Sequence, residues 1–172
     1  MKKIIIALIL GFTTFGYSQN CKYKINEVDE FSKNKILETK KEAFTMSGIG
    51  FGFSTNYSLK KINNDRYLKL YISSPKIFTL RQGDQIMLKT DSENTVSLVL
   101  MQTTIARSSY NDQLGSTTWY EDVLIPITDE NYQRLLTENI LKLRVYTADG
   151  YIDDDVKEKR AKKFKEILKC IE

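Results

Sequence analysis

The sequence predicts an α+β domain: an antiparallel β-meander, half-barrel or sandwich-like, with a short helix near 129–137 and a covering C-terminal helix. Three observations carry that reading. Leu68, Leu70 and Ile72 alternate with Tyr67, Lys69 and Tyr71, the period of two of a strand with one buried face and one wet face. Clusters of Asn, Asp and Ser recur between the apolar stretches and mark tight turns. Near the end, Ala161, Phe164, Ile167, Leu168 and Ile171 repeat at helical spacing, giving a stripe that needs a sheet to pack on.

The elements follow in order. Segments 23–31 and 35–44 read as strands about a turn at Ser32-Lys33-Asn34. Segments 51–62 and 66–73 flank Asn63-Asn64-Asp65, a stronger hairpin signal because Asn and Asp tolerate left-handed backbone. Segments 84–90 and 95–104 flank Asp91-Ser92-Glu93-Asn94, and 119–127 is a further strand. Thr128 caps a helix to about Thr137, with Asp129 and Glu130 in its first turn, where the helix dipole favours acids. Strands 140–147 and 151–153 turn through Ala148-Asp149-Gly150, with Leu141, Leu143 and Val145 on one face and Lys142 and Arg144 on the other. The last helix spans about 156–171, opened by Asp155 with Glu158 at capping-box spacing.

Residues 1–18 read as a cleavable signal peptide, followed by a single globular domain over 19–172. Lys2 and Lys3 precede an apolar run from Ile4 to Leu10, and Gly16 and Ser18 supply a small-x-small site for a cut between Ser18 and Gln19. The run is far short of the ~20 residues that span a bilayer. Asn20 before Cys21 and Ser18 two positions earlier do not fit acylation of that cysteine. The expected location is therefore secreted or periplasmic, with no transmembrane span in the mature chain. In an oxidising compartment Cys21 and Cys170 pair, tying the two ends of the domain together. Loop entropy gives roughly 5 kcal/mol for so long a closure.

Two of the 26 basic residues lie in the leader, so 24 face 22 acidic ones afterwards. That balance does not fit a nucleic-acid binder, which carries a strong basic surplus. With no histidine in the chain, Ser-His-Asp and Cys-His nucleophiles and the usual zinc and copper sites are excluded. Ser58-x-x-Lys61 and Ser73-x-x-Lys76 match S-x-x-K but fall in or beside strands, not at a helix start. The Gly48–Phe53 stretch leads into a strand and lacks a phosphate-binding lysine. Asp153-Asp154-Asp155 lacks calcium-loop spacing and reads as an acidic helix start. Glu27 with Asp29, and Glu121 with Asp122, are the carboxylate pairs that a glycoside hydrolase would need.

Two surfaces stand out. Arg107, Tyr110, Trp119 and Tyr120 combine a cation with aromatics of the kind favoured at recognition surfaces. Residues 156–172 hold seven basic side chains against three acids, and Lys159, Lys162 and Lys163 offer contacts to an anionic surface. The Ser18-Gln19 junction, the stretch Asn26-Glu27-Val28-Asp29-Glu30-Phe31 and the ending Arg144–Tyr151 before a Lys-rich helix resemble uncharacterised secreted proteins of Bacteroidetes-type bacteria. The resemblance implies the same compartment and no particular chemistry. The expectation is a monomeric, non-enzymatic binding or protein-interaction domain with an envelope or extracellular partner and no cofactor. The alternatives are a carboxylate hydrolase and a structural or inhibitory envelope module.

Overall fold

The structure, a computed structural model, describes residues 21–46, 52–113 and 115–172. The leader, its Ser18–Gln19 junction and most of the glycine-rich stretch lie outside the described residues. Along the chain run β1 (Tyr23–Val28), β2 (Lys35–Thr39), β3 (Glu42–Met46), β4 (Ser54–Ile62), β5 (Asp65–Ser74), β6 (Thr79–Leu80), β7 (Gln85–Thr90) and β8 (Thr95–Val99). There follow β9 (Thr104–Ile105), β10 (Arg107–Asn111), β11 (Ser116–Ile127), α1 (Asp129–Thr137), β12 (Ile140–Thr147), β13 (Gly150–Asp155) and α2 (Glu158–Leu168), which ends in a 3-10 turn, Lys169–Ile171.

Among the described residues every strand pairing is antiparallel. The large sheet runs β1-β2-β4-β5-β11-β10 and curls into a half-barrel. β3 lies beside the Ser54–Tyr57 half of β4, while β2 pairs with the Lys60–Ile62 half. The second sheet runs β13-β12-β7-β8, and β6 and β9 form a short ladder. Period-two alternation sends Tyr57, Leu59, Leu68, Leu70, Ile72, Val123 and Ile125 into the core from the large sheet. Ile86, Leu88, Val96, Leu98, Leu143 and Val145 enter it from the second.

Helix α2 fills the remaining side with the stripe read from the sequence, for Ala161, Phe164, Ile167, Leu168 and Ile171 are all buried. Its Phe164 ring stacks on Phe44 at 5.2 Å and meets Tyr57 at 4.9 Å. The Tyr57 hydroxyl is buried with no hydrogen-bond partner among the described residues, and burial pushes its pKa up.

The segment after α2 is held from four directions. Cys21 and Cys170 form the disulfide, with Cα atoms 5.7 Å apart. The Tyr23 hydroxyl donates to the Cys170 carbonyl at 2.8 Å, Arg66 Nε to that of Ile171 at 3.2 Å, and Lys61 Nζ to that of Glu172 at 2.5 Å. From α1 the Tyr132 hydroxyl donates to Leu168 O at 3.4 Å. Arg66 also bonds Asp129 at 2.8 Å and lies over the Tyr132 ring at 4.2 Å, joining both helices to β5. These side chains satisfy carbonyls that a helix end leaves without partners.

Several expected elements hold as read. Thr128 caps α1 by accepting from Asn131 N at 3.2 Å. Asn63 at φ 53° and Glu93 at φ 63° take the left-handed positions of their hairpin turns, and Gly150 at φ 129° serves the β12–β13 turn.

Others are corrected. The first turn begins at Asp29, whose carboxylate accepts from the Phe31 and Ser32 amides, so β1 stops at Val28 and Phe31 is 95% exposed. The expected strand 35–44 is two strands, because the Thr39 hydroxyl takes the Leu59 amide and Lys40 N bonds back to Lys22 O, interrupting the ladder. The expected strand 95–104 ends at Val99, and a separate β9 follows. Leu141 does not share the face of Leu143, because a bulge between Ile140 and Lys142 puts Ile140 in the core and leaves Leu141 exposed. Asp155 does not cap the last helix. It belongs to β13 opposite Lys142, and α2 starts after Lys157 without a side-chain cap.

Three outcomes follow. Phe164→Ala is expected to cost about 3–5 kcal/mol in chemical denaturation. Tyr57→Phe should be at least as stable as the parent, because it removes a buried hydroxyl without a partner. Asn139 donates from its backbone and side-chain amides to Asp91 at 3.0 and 2.7 Å, holding that carboxyl below its usual pKa. A depressed carboxyl contributes stability above its unfolded pKa and loses it as pH falls through the folded value. The Tm gap between parent and Asp91→Ala should therefore be full near neutrality and shrink below about pH 4.

Candidate recognition surfaces

Strands β10 and β11 form a hairpin in the register Arg107↔Tyr120, Ser108↔Trp119, Ser109↔Thr118, Tyr110↔Thr117. Alternation divides the four residues singled out from the sequence between two faces. Arg107 and Tyr120 share the outer face, with the guanidinium 5.2 Å from the ring centroid. Trp119 and Tyr110 lie on the other. Trp119 is half-buried against the core, whereas Tyr110, nearer the hairpin turn, is 62% exposed.

Arg107 fixes the base of this hairpin. Its Nη2 reaches Glu121 Oε1 at 3.3 Å and Asp122 Oδ1 at 3.2 Å. Asp122 also holds Lys69 of β5 at 3.0 Å. Lys69 and Lys41 lie over the Tyr71 ring at 5.2 and 4.2 Å, and the Tyr71 hydroxyl is 3.3 Å from Ser58 Oγ. Farther along the same sheet, Glu38, only 3% exposed, pairs with Lys24 at 3.4 Å. The outer face of the large sheet is thus a continuous chain of charges and rings from β10 back to β4. Sequence reading missed β10, because Arg-Ser-Ser-Tyr-Asn has no apolar alternation. All five of its residues are exposed, its pairing with β11 has no bulge, and its other edge meets no strand among the described residues.

On α2, Lys162 is paired with Glu158 at 2.6 Å and Lys163 with Glu166 at 3.4 Å, while Lys159 is exposed. The helix's own acids therefore engage two of the three lysines singled out from the sequence.

Three of the four candidate carboxylates have structural partners, and Glu27 is exposed on β1. Asp29 closes the first turn, and Glu121 and Asp122 hold Arg107. Ser58 faces Tyr71, and Ser73 lies at the end of β5 beside Ser74, whose Oγ accepts the Lys76 amide at 3.1 Å. The Asp153–Asp155 run is strand, not helix start, so its side chains alternate. Asp153 takes a two-pronged bond from Arg144 at 2.6 and 2.7 Å, and Asp155 lies 3.6 Å from Lys142. Among the described residues no three acids or cysteines gather as a metal site would require.

The second sheet's outer face carries a feature that the sequence did not disclose. Met87, Lys89, Thr95, Lys142 and Arg144 line an open depression of about 200 Å³. Lys142 and Arg144 were legible as the wet face of a strand. Their position beside Lys89 depends on the β7–β12 register.

Removing Arg107 tests the outer-face chain. Arg107→Ala should cost on the order of 1 kcal/mol of global stability, since the Arg107 side chain is 59% exposed although Glu121 is only 12% exposed. Amide exchange should quicken within 107–120 and stay unchanged in β12, as read by hydrogen–deuterium exchange. No family model matches the chain, and no curated protein or solved structure matches it either.

Proposed function

We propose that the protein is an extracytoplasmic, non-enzymatic interaction domain that recognises an extended segment of a partner protein along the edge of β10. The carrying observation is the character of that edge: five consecutive exposed residues in regular register, without proline or bulge, whose single charge, Arg107, is engaged by Glu121 and Asp122 at its base. Sheet edges left in this state are templates for another strand, and proteins that must avoid such pairing blunt them with just those devices. Strand addition takes its affinity from backbone hydrogen bonds and its specificity from alternate side chains. Arg107 and Tyr120 would supply specificity on one face, and Tyr110 and Trp119 on the other.

The Arg107–Asp122–Lys69 chain supports the reading, because it fixes the hairpin before a partner arrives and so lowers the ordering cost of binding. The leader expected at residues 1–18 and the Cys21–Cys170 disulfide both suit a compartment outside the cytoplasm. No helix among the described residues is long and apolar enough to cross a membrane. The resemblance to secreted proteins supports the same compartment.

The test replaces Tyr110 by photoreactive benzoylphenylalanine in the protein produced by its own host, with Tyr151 on the second sheet replaced in a control. One discrete adduct from position 110 and none from position 151 is expected. Adducts from neither position, or equally from both, would refute strand addition at β10. An adduct of twice the chain's own mass would replace the foreign partner with a second copy.

A further inference from the structure

The outer face of the second sheet has an arrangement that its own folding does not favour. On β7, Lys89 stands directly opposite Lys142 of β12. Side chains so placed in an antiparallel pair have Cβ atoms roughly 4.5–5.5 Å apart, and like charges there destabilise the sheet. The register from Lys142 to Val145 is unbroken, so alternation with the buried Leu143 puts Lys142 on the outer face beside Lys89.

The neighbouring charges do not cancel this repulsion. Asp153 is engaged by both Nε and Nη2 of Arg144, whose guanidinium also lies 3.9 Å from the Tyr151 ring centroid. That pair is closed on itself. Asp155 approaches Lys142 only to 3.6 Å and is 83% exposed. Both carboxylates belong to β13, on the far side of β12, whereas Lys89 has no ion pair among the described residues. On its other flank Lys89 faces Thr95 of β8, a hydroxyl. Positive charge is therefore concentrated at the middle of the sheet, within the depression floored by Met87. A locally unfavourable pair retained in an open depression is what a binding site looks like before its ligand arrives.

We propose that this depression is an oxyanion site, in which Lys89 and Lys142 clamp the carboxylate, sulfate or phosphate group of a small ligand. Thr95 lies within the same depression to add a hydroxyl donor, and Met87 gives the ligand's body an apolar rest. Arg144, fixed by Asp153 and Tyr151, adds a positive wall. The site lies on the opposite sheet from β10 and does not depend on the reading given to that edge.

The opposed lysines give the test a signature that a purely structural pair would not produce. Thermal unfolding and amide chemical shifts are followed on the whole protein with sodium sulfate, sodium phosphate and sodium glucuronate, at ionic strength held constant with sodium chloride. At least one anion is expected to raise Tm and to shift the amides of Lys89, Lys142 and Thr95. Lys89→Ala should leave the free protein as stable or more so, yet weaken that anion about tenfold, the loss of one charge-assisted bond. Lys76→Ala, at an exposed lysine away from this sheet, should change neither. A response to glucuronate alone identifies a sugar acid, and equal responses to all three identify the charged group as the recognised element. The proposal fails if no anion acts beyond sodium chloride, or if the response survives in Lys89→Ala. It fails equally if Lys89→Ala lowers the Tm of the free protein.

Discussion

Residues 168–172 occupy the point where both helices meet the large sheet. Their carbonyls accept from Tyr132 of α1, Tyr23 of β1, Arg66 of β5 and Lys61 of β4, and Cys170 is covalently joined to Cys21. Immediately before them α2 places Phe164 against Phe44 and Tyr57, so the same element that ties the chain ends also seals the core. Without this closure β1 would keep only its β2 pairing, and the aromatic trio would open to water on one side. Burial drives the association, while the hydrogen bonds and the disulfide fix where it occurs.

A core closed in this way leaves the outer faces of both sheets without a packing duty, and the two have been furnished differently. On the large sheet the charges are matched: Arg107, Asp122, Lys69 and Tyr71 follow one another, each with a neighbour of suitable sign or a ring face. On the second sheet they are matched only on the β13 side, and the middle carries two facing lysines. The first pattern stiffens a hairpin that projects beyond the core. The second leaves an uncompensated field.

The fold was legible where local chemistry decides. Thr128 with Asp129 and Glu130 announced α1, and the Asn63-Asn64 turn between alternating strands announced β4–β5, because capping and left-handed backbone depend on neighbours along the chain. It was illegible where a distant partner decides. Nothing between Lys35 and Phe44 signals the break at Lys40, which follows from Thr39 bonding Leu59, twenty residues on. The Asp153–Asp155 run has the composition of a helix start, and it becomes strand because Arg144 and Lys142 lie at the right register to meet alternate acids. Surface sites follow the same division. The aromatic and basic residues of 107–120 were visible as types, but their assignment to opposite faces, like the meeting of Lys89 with Lys142, exists only once strands are paired.

The order in which the chain is made gives the closing segment a further meaning. The Cys170 thiol and the ring of Phe164 leave the ribosome after every strand they lock, so the earlier segments must wait as an unsealed assembly. Pairings of this sequence separation form late and slowly. The Cys21–Cys170 tie can therefore close only after all thirteen described strands and α2 have been made, and it then holds the first described strand against the last helix whatever the order in which the others paired.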